Sequence, residues 1–198
     1  EILNGWNSPE AQLAEQALRS GHIEALINIW ENDNYSHYRP EKSVWNLYLL
    51  AQLPREMALT FWLRINEKKH LFAGEDYFLS ILGLDTLPGL LLAFSHHPKE
   101  TFPLILNFGA TELALPVARV WRRFAAQRDL ARQWILQWPE HTATALIPLV
   151  FTKPSDNSEA ALLALRLLYE QGHGELLQTV ANRWQRTDVW SALEQLLK

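Results

Sequence analysis

Apolar residues recur along this chain at the i, i+3, i+4 spacing of helices that bury one face. Leu13, Ala17 and Leu18 follow it, then Ile23, Leu26, Ile27 and Trp30, then Trp45, Tyr48 and Leu49, then Leu59, Trp62 and Leu63. Long alternation of β-branched residues, the mark of a half-buried strand, is missing. Valine occurs only at positions 44, 117, 120, 150, 180 and 189, each inside a helical pattern. The expected fold class is all-α, with strand content near zero.

Proline, glycine and capping residues punctuate the pattern. Ser8-Pro9-Glu10 reads as an N-cap with Pro at the first helical position, and Gly21 stops that helix. Pro54 opens a helix that runs to about Asn66; Pro88, Pro98, Pro139 and Pro154 mark further starts or ends. A helix over Ser158–Gln171 stops at Gly172, and Thr187-Asp188 caps the last one. This spacing predicts about twelve or thirteen helices. Longer polar connections fall at Asn32–Pro40, Glu67–Gly74 and Thr152–Asn157. None is long enough to be a domain linker.

An echo organises the whole. Ser8-Pro9-Glu10-Ala11 leads through Leu18 to Gly21-His22-Ile23-Glu24, and Asn157-Ser158-Glu159-Ala160 leads through Leu168 to Gly172-His173-Gly174-Glu175. Both are amphipathic helices that end at Gly-His-x-Glu, with a second helix starting at once. Between the two Gly-His pairs, three or four units of roughly 38–50 residues fit, the length of HEAT-type repeats. The expected architecture is a HEAT-like right-handed α-solenoid of stacked antiparallel helix pairs, one helical-repeat domain over residues 1–198.

Composition narrows the function. The chain has 198 residues, 48% hydrophobic and 20% charged, a globular balance that excludes a disordered tail. With no Cys, a disulfide scaffold, a Cys-ligated metal and a Cys nucleophile are excluded. The net charge of −4 draws the chain neither to nucleic acid nor to a membrane. The longest apolar runs, such as Leu90–Phe94, fall far short of the roughly 20 residues of a membrane span. Glu1 is not Met and the last helix runs to Lys198, so the segment reads as part of a larger protein.

Catalytic signatures are missing. The seven His lie at 22, 37, 70, 96, 97, 141 and 173, without the His-Glu-x-x-His spacing of a zinc helix. His96 and His97 are adjacent, so on a helix they point about 100° apart. No Gly-x-Ser-x-Gly elbow or Gly-rich phosphate loop occurs. Acids such as Glu75 and Asp76 fall at helix starts, where they suit the helix dipole. The expectation is no enzyme, no cofactor and no metal.

Aromatic and basic residues carry the remaining signal. Of nine Trp, six lie in helical patterns and are expected in the core: Trp30, Trp45, Trp62, Trp121, Trp134 and Trp184. Trp138 precedes Pro139 and should end its helix half exposed; Trp6 and Trp190 lie near the ends. Arg119, Arg122, Arg123, Arg128 and Arg132 crowd one short stretch, with Asp129 the only acid among them. Arg119, Arg122 and Arg123 share one helix face. Such a stripe either pairs with Glu112 and Glu140, binds an acidic partner, or holds a phosphate backbone. Positions 100–198 carry ten basic and ten acidic side chains, which weighs against a large phosphate-binding surface.

Ala131-Arg132-Gln133-Trp134-Ile135-Leu136, then Pro139-Glu140-His141 and Ala145-Leu146-Ile147-Pro148, resemble a segment of the bacterial molybdate metabolism regulator (MolR-like) family. Glu159-Ala160-Ala161-Leu162, Leu165-Arg166-Leu167-Leu168 and Gly172-His173 continue the likeness. The resemblance implies a helical-repeat middle segment of a cytoplasmic bacterial regulator. It is confined to the stretch from Ala131 to His173 and is a packing signature without catalytic residues to carry over. No Trp-Gly-Arg tripeptide occurs, so the family's small namesake domain is absent from this segment. The expected function is a non-catalytic scaffold that presents a surface to a protein partner or to other domains of its parent chain. Arg119, Arg122, Arg123, Arg128, Arg132 and Trp138 are the candidate contact residues. The alternative is a nucleic-acid-binding helical repeat that uses the Arg cluster.

Overall fold

The computed structural model describes residues 16, 19–32, 51, 53–67, 75–184 and 188–198. Every regular element among them is helical. The expectations for Trp6, Trp45, Pro9, His37, His70, Thr187 and the connections over 33–40 and 68–74 lie outside the described residues, as does that for the Trp30 side chain. The chain divides into two compact units, Glu1–His97 and Pro98–Lys198.

The first unit contains α1 (Ile23–Asn32), α2 (Arg55–Glu67), α3 (Glu75–Leu82), a 3-10 turn over Gly83–Thr86, and α4 (Leu87–His96). Pro54 opens α2, and its carbonyl accepts from the Ala58 N–H. The buried stripe of α2 is Ala58, Phe61, Trp62, Ile65 and Asn66. It is rotated by one position from the Leu59, Trp62, Leu63 stripe that periodicity suggested, because α4 and the 3-10 turn pack on that side. Trp62 is its anchor: 1% exposed, its ring 5.1 Å from that of Phe78, its Nε1 donating to Thr86 O at 2.8 Å. Asn66 Nδ2 donates to Trp62 O, while Asn66 Oδ1 is buried with no donor among the described residues.

The stretch Glu75–His96 contains an 18-residue window with a mean hydropathy of 1.7 and is long and apolar enough, by length and composition, to cross a membrane. Counting unbroken apolar runs misses it, because Ser80, Asp85 and Ser95 interrupt a sequence whose average stays apolar. In the fold it is broken at Gly83, φ 62°, and Phe78, Leu79, Leu82, Leu90 and Phe94 are buried.

The second unit contains α5 (Pro98–Ile105), α6 (Thr111–Arg123), a 3-10 turn over Ala125–Gln127, α7 (Arg128–Gln137), α8 (Pro139–Val150), α9 (Asp156–Glu170), α10 (Gly174–Asn182) and α11 (Asp188–Leu197). Pro98 and Pro139 open helices where expected, and Trp138 closes α7 and opens α8 at once. From α6 onward each helix packs on others at most three elements away: α6 on α7, α8 and α9; α8 on α9 and α10; α9 and α10 on α11. Alternate helices begin at Thr111, Pro139 and Gly174. Both intervals are shorter than the repeat length expected from the sequence, because the turns are tight and α7 and α10 are short.

Local chemistry explains the ends of α9. Ser155 is extended and caps it: the Ser158 N–H donates to Ser155 Oγ at 3.2 Å, and the Ser155 N–H donates to Ser158 Oγ at 2.8 Å. This reciprocal box starts the helix at Asp156, before the Ser158 start that the sequence suggested. At the other end Gly172 has φ 89°; its N–H donates to Tyr169 O and that of His173 to Leu168 O. These two bonds define a Schellman motif, which needs a left-handed residue. Gly21, the counterpart in the echo, has φ 70°. Among the described residues no atom lies within 4 Å of a Cβ added at either glycine, so at Gly172 substitution meets backbone strain. Gly172→Ala is expected to lower stability by about 1–2 kcal/mol and Gly172→Asn by less, as read by urea unfolding. An alanine variant as stable as the parent would sink this assignment.

Candidate interaction surface

The five clustered arginines are not gathered on one face. Arg119, Arg122 and Arg123 stand in the last turns of α6 and meet the first turn of α9. Arg119 Nε donates to Asn157 Oδ1 at 3.0 Å, and Arg122 Nη1 donates to Asp156 Oδ1 at 2.7 Å. Arg122 also pairs with Glu159, and Arg123 with Asp156. Cations at the C-terminus of α6 and anions at the N-terminus of α9 each complement their helix dipole, so one cluster serves both ends. The acids expected to face these arginines, Glu112 and Glu140, do other work. Glu112 accepts from Thr111 Oγ1, and Glu140 pairs with Arg183 at 2.7 Å. The reason is tertiary: α9, remote in sequence, is what packs against α6.

Phe124 then turns the chain in an extended conformation, and the short 3-10 turn separates the other two arginines. Arg128 Nε donates to Trp121 O at 3.3 Å, with its guanidinium carbon 5.8 Å from the Trp121 ring centroid. Arg132 Nη2 donates to Gln171 Oε1 at 3.0 Å, just beyond the C-terminus of α9. The two ends of α9 are about 22 Å apart at roughly 1.5 Å per residue, so the cluster spans a whole helix length.

Trp138 is half-buried and structural. Its Nε1 donates to Leu106 O at 3.1 Å, its ring covers Gly109, and His141 lies edge-on at 6.0 Å. Trp134 is fully buried and donates to Phe108 O at 3.0 Å. Trp184, expected in the core, is instead 50% exposed. It lies just past α10, in the turn toward α11, beyond the helix faces that pack together.

Trp184 lines a groove of about 260 Å³ with Ile147, Pro148 and Phe151 from the end of α8 and Asp188, Val189 and Ala192 from α11. Phe151 is 46% exposed. Sequence reasoning passed over Phe151; an aromatic at the edge of a polar connection is the signal that could have found it.

Five of the seven histidines are among the described residues; His37 and His70 lie outside them. Ser20 Oγ lies 2.8 Å from His22 Nδ1, His97 closes α4, and His173 precedes α10. Among the described residues no three His, Asp or Glu side chains gather as a metal would require.

Fold and surface together define an all-helical protein. All 198 residues match, at 98% identity, a protein of Escherichia coli (strain K12) described as the uncharacterized protein YehI. The chain spans 16% of the length of that relative. No family model matches the chain. No solved structure matches it.

Proposed function

We propose that this chain is a non-catalytic, HEAT-like helical-repeat scaffold within a longer cytoplasmic bacterial regulatory protein. It docks protein segments, from a partner or from the rest of its parent chain. The groove between α8 and α11 carries this reading: an apolar concavity flanked by two half-exposed aromatics suits an apolar anchor of another protein surface. The short-range packing from α6 to α11 supports the stacked-repeat reading. The regulatory part rests on the resemblance of residues 131–173 alone. Nucleic acid is the less favoured partner, since Arg122 and Arg123 are already tied to carboxylates. A membrane is not part of the reading.

Expressed separately, the 198-residue chain should bind the remainder of the longer relative in calorimetric titration. Phe151→Ser with Trp184→Ser should weaken that affinity at least tenfold while helical content holds. Unchanged affinity in the double variant would remove the groove from the interface, and no detectable binding would end the interdomain reading.

A further inference from the structure

Arg128 and Arg132 stand one helical turn apart on α7, both exposed, and neither pairs with a carboxylate among the described residues. Each is nevertheless held in place by a neutral group. Arg128 lies over the Trp121 ring and donates to a backbone carbonyl; Arg132 donates to the Gln171 amide. Like charges at i, i+4 repel, so this pair opposes α7 unless an anion joins it. The acids near them in sequence are Asp129, which is exposed and forms no bond to either guanidinium, and Glu170, beside Gln171. Immediately before α7, Phe124 is 47% exposed and Ala125 and Ala126 are exposed as well. Aromatic and Arg side chains together are the composition that protein interfaces favour.

We infer that the α6–α7 corner is a docking site for an acidic peptide segment. The segment would carry two carboxylates, one for each guanidinium, and an apolar side chain for Phe124. Charge complementarity selects this occupant. A guanidinium held against a ring or an amide offers its remaining N–H donors as a preset fork for carboxylate. A nucleic-acid backbone fits less well: the corner offers two cations, with Asp129 beside them. The site is separate from the groove of Phe151 and Trp184, so either can fail alone.

The test is fluorescence anisotropy with the full chain and three labelled probes at low and at physiological salt. They are a short peptide with Glu at i, i+4 and a flanking Leu, the same peptide with Lys for Glu, and a single-stranded DNA oligonucleotide. The acidic peptide is expected to bind, more weakly at the higher salt. Arg128→Glu with Arg132→Glu should abolish that binding and create binding of the Lys peptide, a swap that misfolding cannot imitate. Phe124→Ser should weaken acidic-peptide binding several-fold, and Arg119→Gln should leave it unchanged. Equal binding of Glu and Lys peptides, tighter binding of DNA, or no detectable peptide binding would each overturn the inference.

Discussion

Gly89→Ala is expected to destabilise the first unit by about 3 kcal/mol, the reverse of what helix propensity alone dictates. Alanine in a helix is ordinarily about 1 kcal/mol better than glycine. Here a Cβ at residue 89 would lie 2.3 Å from Trp62 Nε1 and 2.4 Å from Cδ1. The indole has little room to retreat: it is buried, tilted against the Phe78 ring, and donating to Thr86 O. Moving it breaks that bond and leaves the buried indole N–H without an acceptor, at about 1–3 kcal/mol, on top of the overpacking. Urea unfolding of Gly89→Ala, alone and combined with Trp62→Leu, reads the effect. The smaller side chain makes room, so the double variant should lose less than the sum of the singles. A Gly89→Ala variant at or above parental stability would show that α4 does not press on Trp62.

Trp134→Ala should cost the second unit about 3–5 kcal/mol, while Trp184→Ala should cost under about 1 kcal/mol. Both tryptophans sit in apolar helical patterns, and sequence alone assigned both to the core. The structure buries Trp134 completely and ties its indole to Phe108 O, whereas Trp184 is half exposed. Trp134→Phe, which keeps much of the volume and loses the hydrogen bond, should fall between them. Thermal or urea unfolding of the three variants orders them, and equal losses at 134 and 184 would refute the burial assignment.

Much of the fold was legible because local signals and tertiary demands agree. Pro54, Pro98 and Pro139 open helices by their fixed φ and missing N–H; Gly172 ends one because the Schellman turn needs a left-handed residue. The Gly-His echo was legible for the same reason: Gly21 also has positive φ, and a helix begins at Ile23. Less legible was which side of a helix is buried. In α2 the spacing of apolar residues allows two overlapping stripes, and packing against α4 selected the one through Ala58 and Phe61.

The candidate surface was legible as composition and not as geometry. Five arginines crowded between Arg119 and Arg132 are visible in any reading of the chain. Their separation into a set bonded to the start of α9 and a pair left without carboxylates depends on two things. One is the turn at Phe124; the other is a set of side chains at the two ends of α9, distant in sequence. Asp156, Glu159 and Gln171 carry no local sign of that role.

The sequence by itself determined an all-helical chain, because the helical period of its apolar positions and its Pro, Gly and Ser breaks act over a few neighbours. Only the tertiary structure decided which tryptophans are core, which acids neutralise which arginines, and where an apolar groove stays open. Those outcomes depend on which helix becomes whose neighbour, and a helix's own period states only that one face must be covered.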